Sequence, residues 1–245
     1  MERVEFTKEM RKTHKVLIPM MLPIHFQFLK NILLKEGYQV ELLQTKGQQI
    51  IDEGLKNVHN DTCYPALLVI GQMIDALKSG NYDIDHIALA ITQTGGGCRA
   101  SNYIHLLRKA LVQAGFPHVP VISVNFSNLE KNSGFSLTPK MLVKIMFGFL
   151  YADTMMWLKN QVKPYELEAG ATDTIVNKWI DKITKQFDST SFMHMKKNYR
   201  QMISDFANIK RSSEEKIRVG IVGEIYMKYA PLGNNELEDF LMQEG

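Results

Sequence analysis

The sequence predicts an α/β fold built on a parallel β-sheet, and three observations predict it. Four short runs in the first half are apolar and rich in β-branched residues, without the alternation of a half-exposed strand, which is typical of strands covered on both faces. Helical patterns lie between these runs, and strands that alternate with helices form βαβ units. Each of these helical patterns stops at a glycine, a residue that favours helix C-termini. The predicted strands are Lys15–Pro19, Gln39–Leu43, His86–Thr92 and Val119–Val124.

The helices between these strands are predicted from apolar residues at helical spacing, which give each helix one face to bury. The predicted helices are Pro23–Glu36, Thr62–Ser79 and Ser101–Ala114. We expect the first α/β domain to occupy residues 1–135.

The middle of the chain, residues 136–215, is predicted to be a helical connector. Thr138–Lys159 is apolar almost all round, which indicates a helix buried on several sides. Two amphipathic helices, Thr172–Phe187 and Ser191–Ile209, are predicted after it.

The last part of the chain repeats the strand–loop–helix order of the N-terminus. The apolar run Ile217–Gly223 is predicted to be a strand, and Asn235–Gln243 a short helix. A single strand and helix cannot bury their own apolar faces. We therefore expect residues 216–245 to be the start of a second, similar α/β domain that is cut short.

Composition and charge argue against several classes of function. The chain has 245 residues and a net charge of only +3, and its Lys and Arg residues are scattered rather than arranged in a stripe that would bind nucleic acid. No run approaches the roughly eighteen uninterrupted apolar residues of a membrane span. The charged start, Met1–Glu5, is unlike a signal peptide, and two cysteines without such a signal indicate a reducing compartment. We expect a cytoplasmic protein without a nucleic-acid or membrane partner.

The first of the two cysteines, Cys63, is predicted at the N-terminus of a helix. It lies in the segment Asn60–Ala66, where Asp61 or Thr62 is a suitable N-cap and Pro65 suits the first turn. The helix dipole and the unpaired N–H groups there favour a thiolate, the form that binds metals. The alternative is a buried small hydrophobe, which is how most free cysteines behave.

The second cysteine, Cys98, follows three glycines. Its segment, Thr92–Ser101, comes directly after the third predicted strand, and open α/β sheets bind ligands at the carboxyl ends of their strands. Gly95, Gly96 and Gly97 allow the backbone to approach a ligand closely, so they are candidate cofactor-binding residues. A tight strand–helix turn is the alternative, although such a turn usually needs one glycine. The segment matches neither the Walker A nor the dinucleotide-binding pattern.

Both cysteines are thus predicted at helix N-termini on one edge of one sheet. A shared metal ion or cluster held by Cys63 and Cys98 is consistent with that placement. Zinc and iron–sulfur sites usually have four ligands, so two cysteines do not complete such a site. A disulfide between them is the alternative, which a reducing compartment disfavours. No residue is identified as catalytic.

The segments around the two cysteines resemble the 2-hydroxyacyl-CoA dehydratase component family. Asn60–Ala66 and Thr92–Arg99 are the most specific part of a resemblance that covers nearly the whole chain. The branch that it resembles most is the large proteins associated with the family's ATP-dependent activase. The other segments and residues similar to this branch are Lys163–Glu166, Gly170, Asp173 and Gly220–Tyr226.

The resemblance implies two or more Rossmann-like or flavodoxin-like domains that hold a 4Fe–4S cluster through three cysteines at loop edges. In the family, the activase hydrolyses ATP to drive one electron into the dehydratase, whose cluster passes it to an acyl-CoA thioester. Cys63 and Cys98 match the first two cluster ligands. The third has no counterpart in this chain, and the resemblance implies that it lies in a second domain beyond Gly245. The implied partners are the activase or a partner subunit, with an acyl-CoA as a possible ligand.

Two hypotheses of function follow. The first is an iron–sulfur, electron-handling component, either a dehydratase (lyase) component or an activase-associated partner. The second is a non-redox α/β module that binds a nucleotide or CoA phosphate at Gly95–Gly97, with structural cysteines. A brown chromophore that bleaches with chelator or oxygen would separate the two.

Overall fold

The computed structural model describes residues 3–59, 61–93, 99–125, 130 and 132–244. The described residues form a four-stranded β-sheet and eleven α-helices. The strands are β1 (Lys15–Pro19), β2 (Gln39–Leu43), β3 (Ile87–Thr92) and β4 (Val121–Val124). The helices are α1 (Met10–Thr13), α2 (Pro23–Lys35), α3 (Gln48–Asn57), α4 (Tyr64–Lys78), α5 (Tyr103–Ala114), α6 (Pro139–Val162), α7 (Ala171–Gln186), α8 (Met195–Ala207), α9 (Ile225–Tyr229), α10 (Pro231–Asn234) and α11 (Leu237–Glu244).

The sheet has the order β2-β1-β3-β4, and every pair of neighbouring strands is parallel. The prediction of a parallel α/β sheet of the Rossmann-like or flavodoxin-like kind is therefore confirmed. Two strands begin later than predicted. Residues Ile84–His86 form a 3-10 turn before β3, and Pro120, which has no N–H to donate to a ladder, precedes β4.

Both faces of the sheet are buried, as the unalternating apolar runs predict. One face packs against α4 and α5 in a single core that includes Leu17, Leu89 and Val121 from the strands. The residues of the opposite face are buried as well; they include Val16, Ile18, Val40, Ala88 and Ile122.

Helix α3 was not predicted, because its short amphipathic pattern offers few apolar residues. It packs closely along α4 through two glycines. A Cβ atom at Gly71 of α4 would overlap the carbonyl oxygen of Ile50, and one at Gly54 of α3 would lie 2.5 Å from the carbonyl oxygen of Leu67. The two backbones can approach this closely only because neither glycine has a side chain.

The chain divides into two compact units. The first contains Met1–Met21, Leu33–Leu137 and Ile225–Asn235, and the second contains Leu22–Ile32, Thr138–Glu224 and Glu236–Gly245. The second unit has its own core among α6, α7 and α8, which lie in the part of the chain where helices were predicted. Its largest buried side chains are Trp179, Tyr151, Phe28, Phe187 and Phe206.

Within the described part of the chain, the segment Pro139–Tyr165, which contains α6, is long and apolar enough to cross a membrane by length and composition. The most apolar 18-residue window of this segment has a mean hydropathy of 1.4, and 39% of that window is buried inside the protein. A search for uninterrupted apolar runs does not find this segment, because lysines and other polar residues interrupt it. The core helix of a soluble protein meets the same criterion, and Tyr151, Met155 and Leu158 of α6 are core residues of the second unit.

The predicted strand Ile217–Gly223 is wrong. These residues form neither strand nor helix, and Ile217 and Val222 are 89% and 90% exposed. A run of β-branched residues favours a strand only where another strand supplies hydrogen-bond partners. The chain continues instead into α9 and α10, which were not predicted, and Tyr226 and Ala230 are buried in the core of the first unit.

Candidate functional site

Cys63 lies at the N-terminus of α4, as predicted. It is itself the N-cap residue, with φ −66° and ψ 146°, and its carbonyl oxygen accepts the N–H of Ala66 at 3.0 Å. The predicted cap at Asp61 or Thr62 is therefore wrong. The Thr62 hydroxyl turns back to donate to the carbonyl of His59 at 2.8 Å. Pro65 occupies the first turn of the helix, where its missing N–H costs nothing.

The Cys63 thiol has a polar neighbour from another helix. Its Sγ lies 2.7 Å from the phenolic oxygen of Tyr103, the first residue of α5. Cys63 is of intermediate exposure rather than buried. The interpretation of Cys63 as a buried small hydrophobe is therefore not supported by its surroundings.

The second predicted group of site residues, Gly95, Gly96, Gly97 and Cys98, lies outside the described residues. Their placement stays a prediction. The described residues on either side are Gln93, directly after β3, and a 3-10 turn at Arg99–Asn102 that leads into α5.

A side-chain network that the sequence analysis missed joins the ends of β3 and β4. The Ser123 hydroxyl donates to Gln93 Oε1 at 2.7 Å, and Gln93 Nε2 donates to the carbonyl of Ser101 at 3.1 Å. Asn125 Nδ2 donates to Ser123 Oγ at 2.9 Å. Gln93 and Ser123 are buried, and buried polar side chains are retained where they are hydrogen-bonded. The network fixes both ends of the segment that contains the glycines and Cys98. The sequence feature that could have indicated this network is the presence of polar residues, Gln93 and Ser123, at the ends of two apolar strands.

Next to this network, Arg108 of α5 binds Glu130, a residue that follows β4 in the sequence. Its Nη1 and Nη2 atoms each lie 2.7 Å from one carboxylate oxygen of Glu130, and Nη2 also donates to the carbonyl of Val121 at 3.3 Å. The hydrogen bonds from Arg108 keep the pKa of Glu130 below its usual range. This ion pair is bidentate and largely shielded from water. It therefore stabilises the structure next to β4.

A metal centre needs several donor side chains grouped around one point. Among the described residues, no three His, Cys, Asp or Glu side chains are grouped closely enough to hold a metal ion. Among the residues that the structure describes, Cys63 is the one side chain that could supply a thiolate ligand. His59, which precedes it, is a loop residue whose Nδ1 accepts the N–H of Asp61 at 3.2 Å.

The segment Lys163–Glu166, singled out by the resemblance, builds the connection between α6 and α7. Lys163 Nζ lies 2.9 Å from Asp173, and the Glu166 carboxylate accepts the N–H groups of Gly170 and Thr172, both at 2.8 Å. Burial acts to raise the pKa of Glu166, but these hydrogen bonds outweigh it and the pKa is lowered. Gly170 has φ +84°, which favours glycine. Glu166 and Gly170 therefore cap the N-terminus of α7.

No protein-family model, curated protein or solved structure matches this chain.

Proposed function

We propose that the protein is an iron–sulfur, electron-handling component similar to 2-hydroxyacyl-CoA dehydratase subunits or their activase-associated proteins. Cys63 and Cys98 would each supply one thiolate ligand to a 4Fe–4S cluster. One observation favours this proposal: the Cys63 thiol contacts Tyr103, the first residue of the helix that begins five residues after Cys98. This contact links the start of α4 to the start of α5, the helix that follows the Cys98 segment in the sequence.

The surroundings of Cys63 suit a ligand. It is partly exposed at a helix N-terminus, the end of a helix that favours negative charge. The Tyr103 hydroxyl can donate a hydrogen bond to that sulfur, and such bonds orient and tune metal ligands. When bound, the cluster would supply the ability to accept and pass on one electron. The proposed electron donor is an ATP-dependent activase or partner subunit, and the proposed acceptor is an acyl-CoA.

The proposed cluster requires ligands besides Cys63 and Cys98, which are the two cysteines of the sequence.

Anaerobic purification of the full chain, with iron and sulfide analysis, tests the proposal. We expect a brown chromophore with comparable amounts of iron and sulfide that bleaches with chelator or oxygen. Cys63→Ser and Cys98→Ser should each lower the iron content, whereas the neighbouring control Thr62→Ala should not. Circular dichroism would show that the variants stay folded. Colourless protein, or equal iron content in all four chains, would contradict the proposal.

The strand order favours a second candidate function, a non-redox nucleotide- or CoA-binding module. In the order β2-β1-β3-β4 the direction of the connections reverses between β1 and β3, and ligands of open α/β sheets bind at such a switch point. The glycines Gly95–Gly97 follow β3. Calorimetric titration with ATP and with CoA separates the candidates. A nucleotide-binding module keeps its affinity when both cysteines are replaced by serine and loses it in Gly96→Val.

A further inference from the structure

Two histidines lie side by side at the edge of the sheet where its strands begin. His14 directly precedes β1 and His86 directly precedes β3, and the register of these parallel strands pairs Lys15 with Ile87. The centroids of the two imidazole rings are 5.5 Å apart, and the ring planes meet at 63°. His14 is half-buried and His86 is exposed, so the pair is accessible to solvent.

In each of these histidines, the Nδ1 atom is held by an oxygen atom. His86 Nδ1 lies 2.7 Å from Asp83 Oδ2, and this hydrogen bond keeps the pKa of Asp83 below its usual range, so the carboxylate is ionised and accepts. His14 Nδ1 lies 2.9 Å from the Thr13 hydroxyl oxygen, and that hydroxyl donates its proton to the Glu9 carbonyl at 3.4 Å. Both oxygens therefore accept, and the proton of each neutral ring lies on Nδ1.

This hydrogen bonding leaves the Nε2 lone pair of each ring for a ligand. Among the described residues, neither Nε2 atom has a hydrogen-bond partner. A histidine that binds a metal commonly donates its other ring N–H to a carboxylate or another oxygen, which fixes its tautomer and orientation. Two imidazoles that bind one Zn²⁺ through bonds of about 2.0–2.1 Å have ring centroids about 5–6 Å apart. The separation of His14 and His86 agrees with this distance.

We propose that His14 and His86 bind a divalent transition-metal cation such as Zn²⁺ through their Nε2 atoms. Imidazole nitrogen is a preferred ligand of Zn²⁺, Cu²⁺ and Ni²⁺. No group of three His, Cys, Asp or Glu side chains in the described part of the chain could hold a metal ion, so water would complete the coordination. We therefore expect micromolar affinity rather than the tighter binding of a closed four-ligand site.

The protonation state of the pair suits metal binding near neutral pH. Burial and the charge of the nearby His86 ring lower the pKa of His14, so its ring is neutral at pH 7, which is the form that binds metal. The bound ion would join the starts of two neighbouring strands, β1 and β3. This inference is independent of the proposed function, since it involves neither cysteine.

Calorimetric titration with Zn²⁺ tests the proposal. The titrated protein is the full chain carrying Cys63→Ser and Cys98→Ser, because thiolates would bind zinc themselves. We expect one Zn²⁺ per chain with a dissociation constant on the order of micromolar. The binding should weaken below about pH 6.5, where imidazole becomes protonated. His14→Ala and His86→Ala should each abolish it.

His118→Ala is the matched control, because the His118 side chain is 52% exposed, close to the 54% of His86. It should keep the affinity. Circular dichroism would show that the variants stay folded, and replacement of the exposed His86 should not unfold the protein. Millimolar binding, binding that persists in folded His86→Ala, or an equal loss in His118→Ala would overturn the proposal.

Replacement of Asp83 tests how His86 is oriented. Asp83→Asn should raise the dissociation constant for Zn²⁺ by about 10–100-fold, because it removes the carboxylate that holds Nδ1. Asparagine can still accept the N–H of Asp85, which Asp83 caps in the 3-10 turn, so the fold should persist. An unchanged dissociation constant would contradict the orienting role of Asp83.

Discussion

At the scale of single residues, the Cys63 thiol sits at the start of α4 with the Tyr103 hydroxyl 2.7 Å away. The helix N-terminus could be predicted from the local sequence, because Pro65 and the apolar pattern after it mark a first turn. The contact with Tyr103 could not be predicted, because Tyr103 lies forty residues further along the chain and the contact depends on how α4 and α5 pack. The same limit applies to Gln93 and Ser123, whose hydrogen bond joins two strands.

The exposure of Cys63 leads to a prediction about its reactivity. In metal-free Cys98→Ser protein, we expect iodoacetamide to label Cys63 completely in native buffer, because the thiol is partly exposed rather than enclosed in the core. Mass spectrometry of the labelled peptide is the measurement, with urea-unfolded protein as the reference. Labelling that appears only after unfolding would contradict this placement.

The Arg108–Glu130 pair leads to a prediction about pH. Because the pKa of Glu130 is lowered in the folded protein, its contribution to stability is present above the ordinary carboxyl pKa of about 4.3 and is lost as the pH falls through the lowered value. Glu130→Gln should reduce the free energy of unfolding by about 1–2 kcal/mol at pH 7. Urea denaturation should show that this difference shrinks toward about pH 3.

Glu168→Gln is the control for this pH dependence, because Glu168 is exposed. It should change the free energy of unfolding little at either pH. A cost of Glu130→Gln that is the same at both pH values would contradict the account of the pair.

At the scale of secondary-structure elements, periodicity predicted the helices and strands that bury an apolar face and failed where tertiary contacts decide. The predicted strands β1 and β2 have the observed bounds. Residues Ile217–Gly223 have the same composition but lack a neighbouring strand. Helix α3 depends on its close approach to α4, which no local pattern indicates.

The α3–α4 contact leads to a prediction about two glycines. Gly71→Ala should lower the free energy of unfolding by about 1–3 kcal/mol, because the added methyl group would overlap the Ile50 carbonyl and force the helices apart. Gly148→Ala in α6 is the matched control. Its Cβ would lie 3.4 Å from Phe28, an ordinary contact, so alanine should be neutral or stabilising by up to about 1 kcal/mol. Urea denaturation of both variants is the measurement, and equal losses would contradict the account.

At the scale of the whole molecule, the alternation of strands and helices was enough to predict a parallel α/β sheet followed by a helical region. The alternation did not predict that Ile225–Asn235 returns to the first unit, where Tyr226 and Ala230 complete the core. That contact joins residues more than a hundred positions apart, and only the folded chain brings them together. The central claim at this scale is that Cys63 and Cys98 face one shared site.

Cross-linking of metal-free protein with dibromobimane, followed by peptide mass spectrometry, tests that claim most directly. Two ligands of one cluster require sulfur atoms on the order of 6–8 Å apart, since thiolate–metal bonds are about 2.3 Å long. We predict an intrachain link between the Cys63 and Cys98 peptides, which prior reconstitution with iron and sulfide prevents. The contradicting result is native protein, diluted to avoid links between chains, in which each cysteine is modified but Cys63 and Cys98 are not linked to each other.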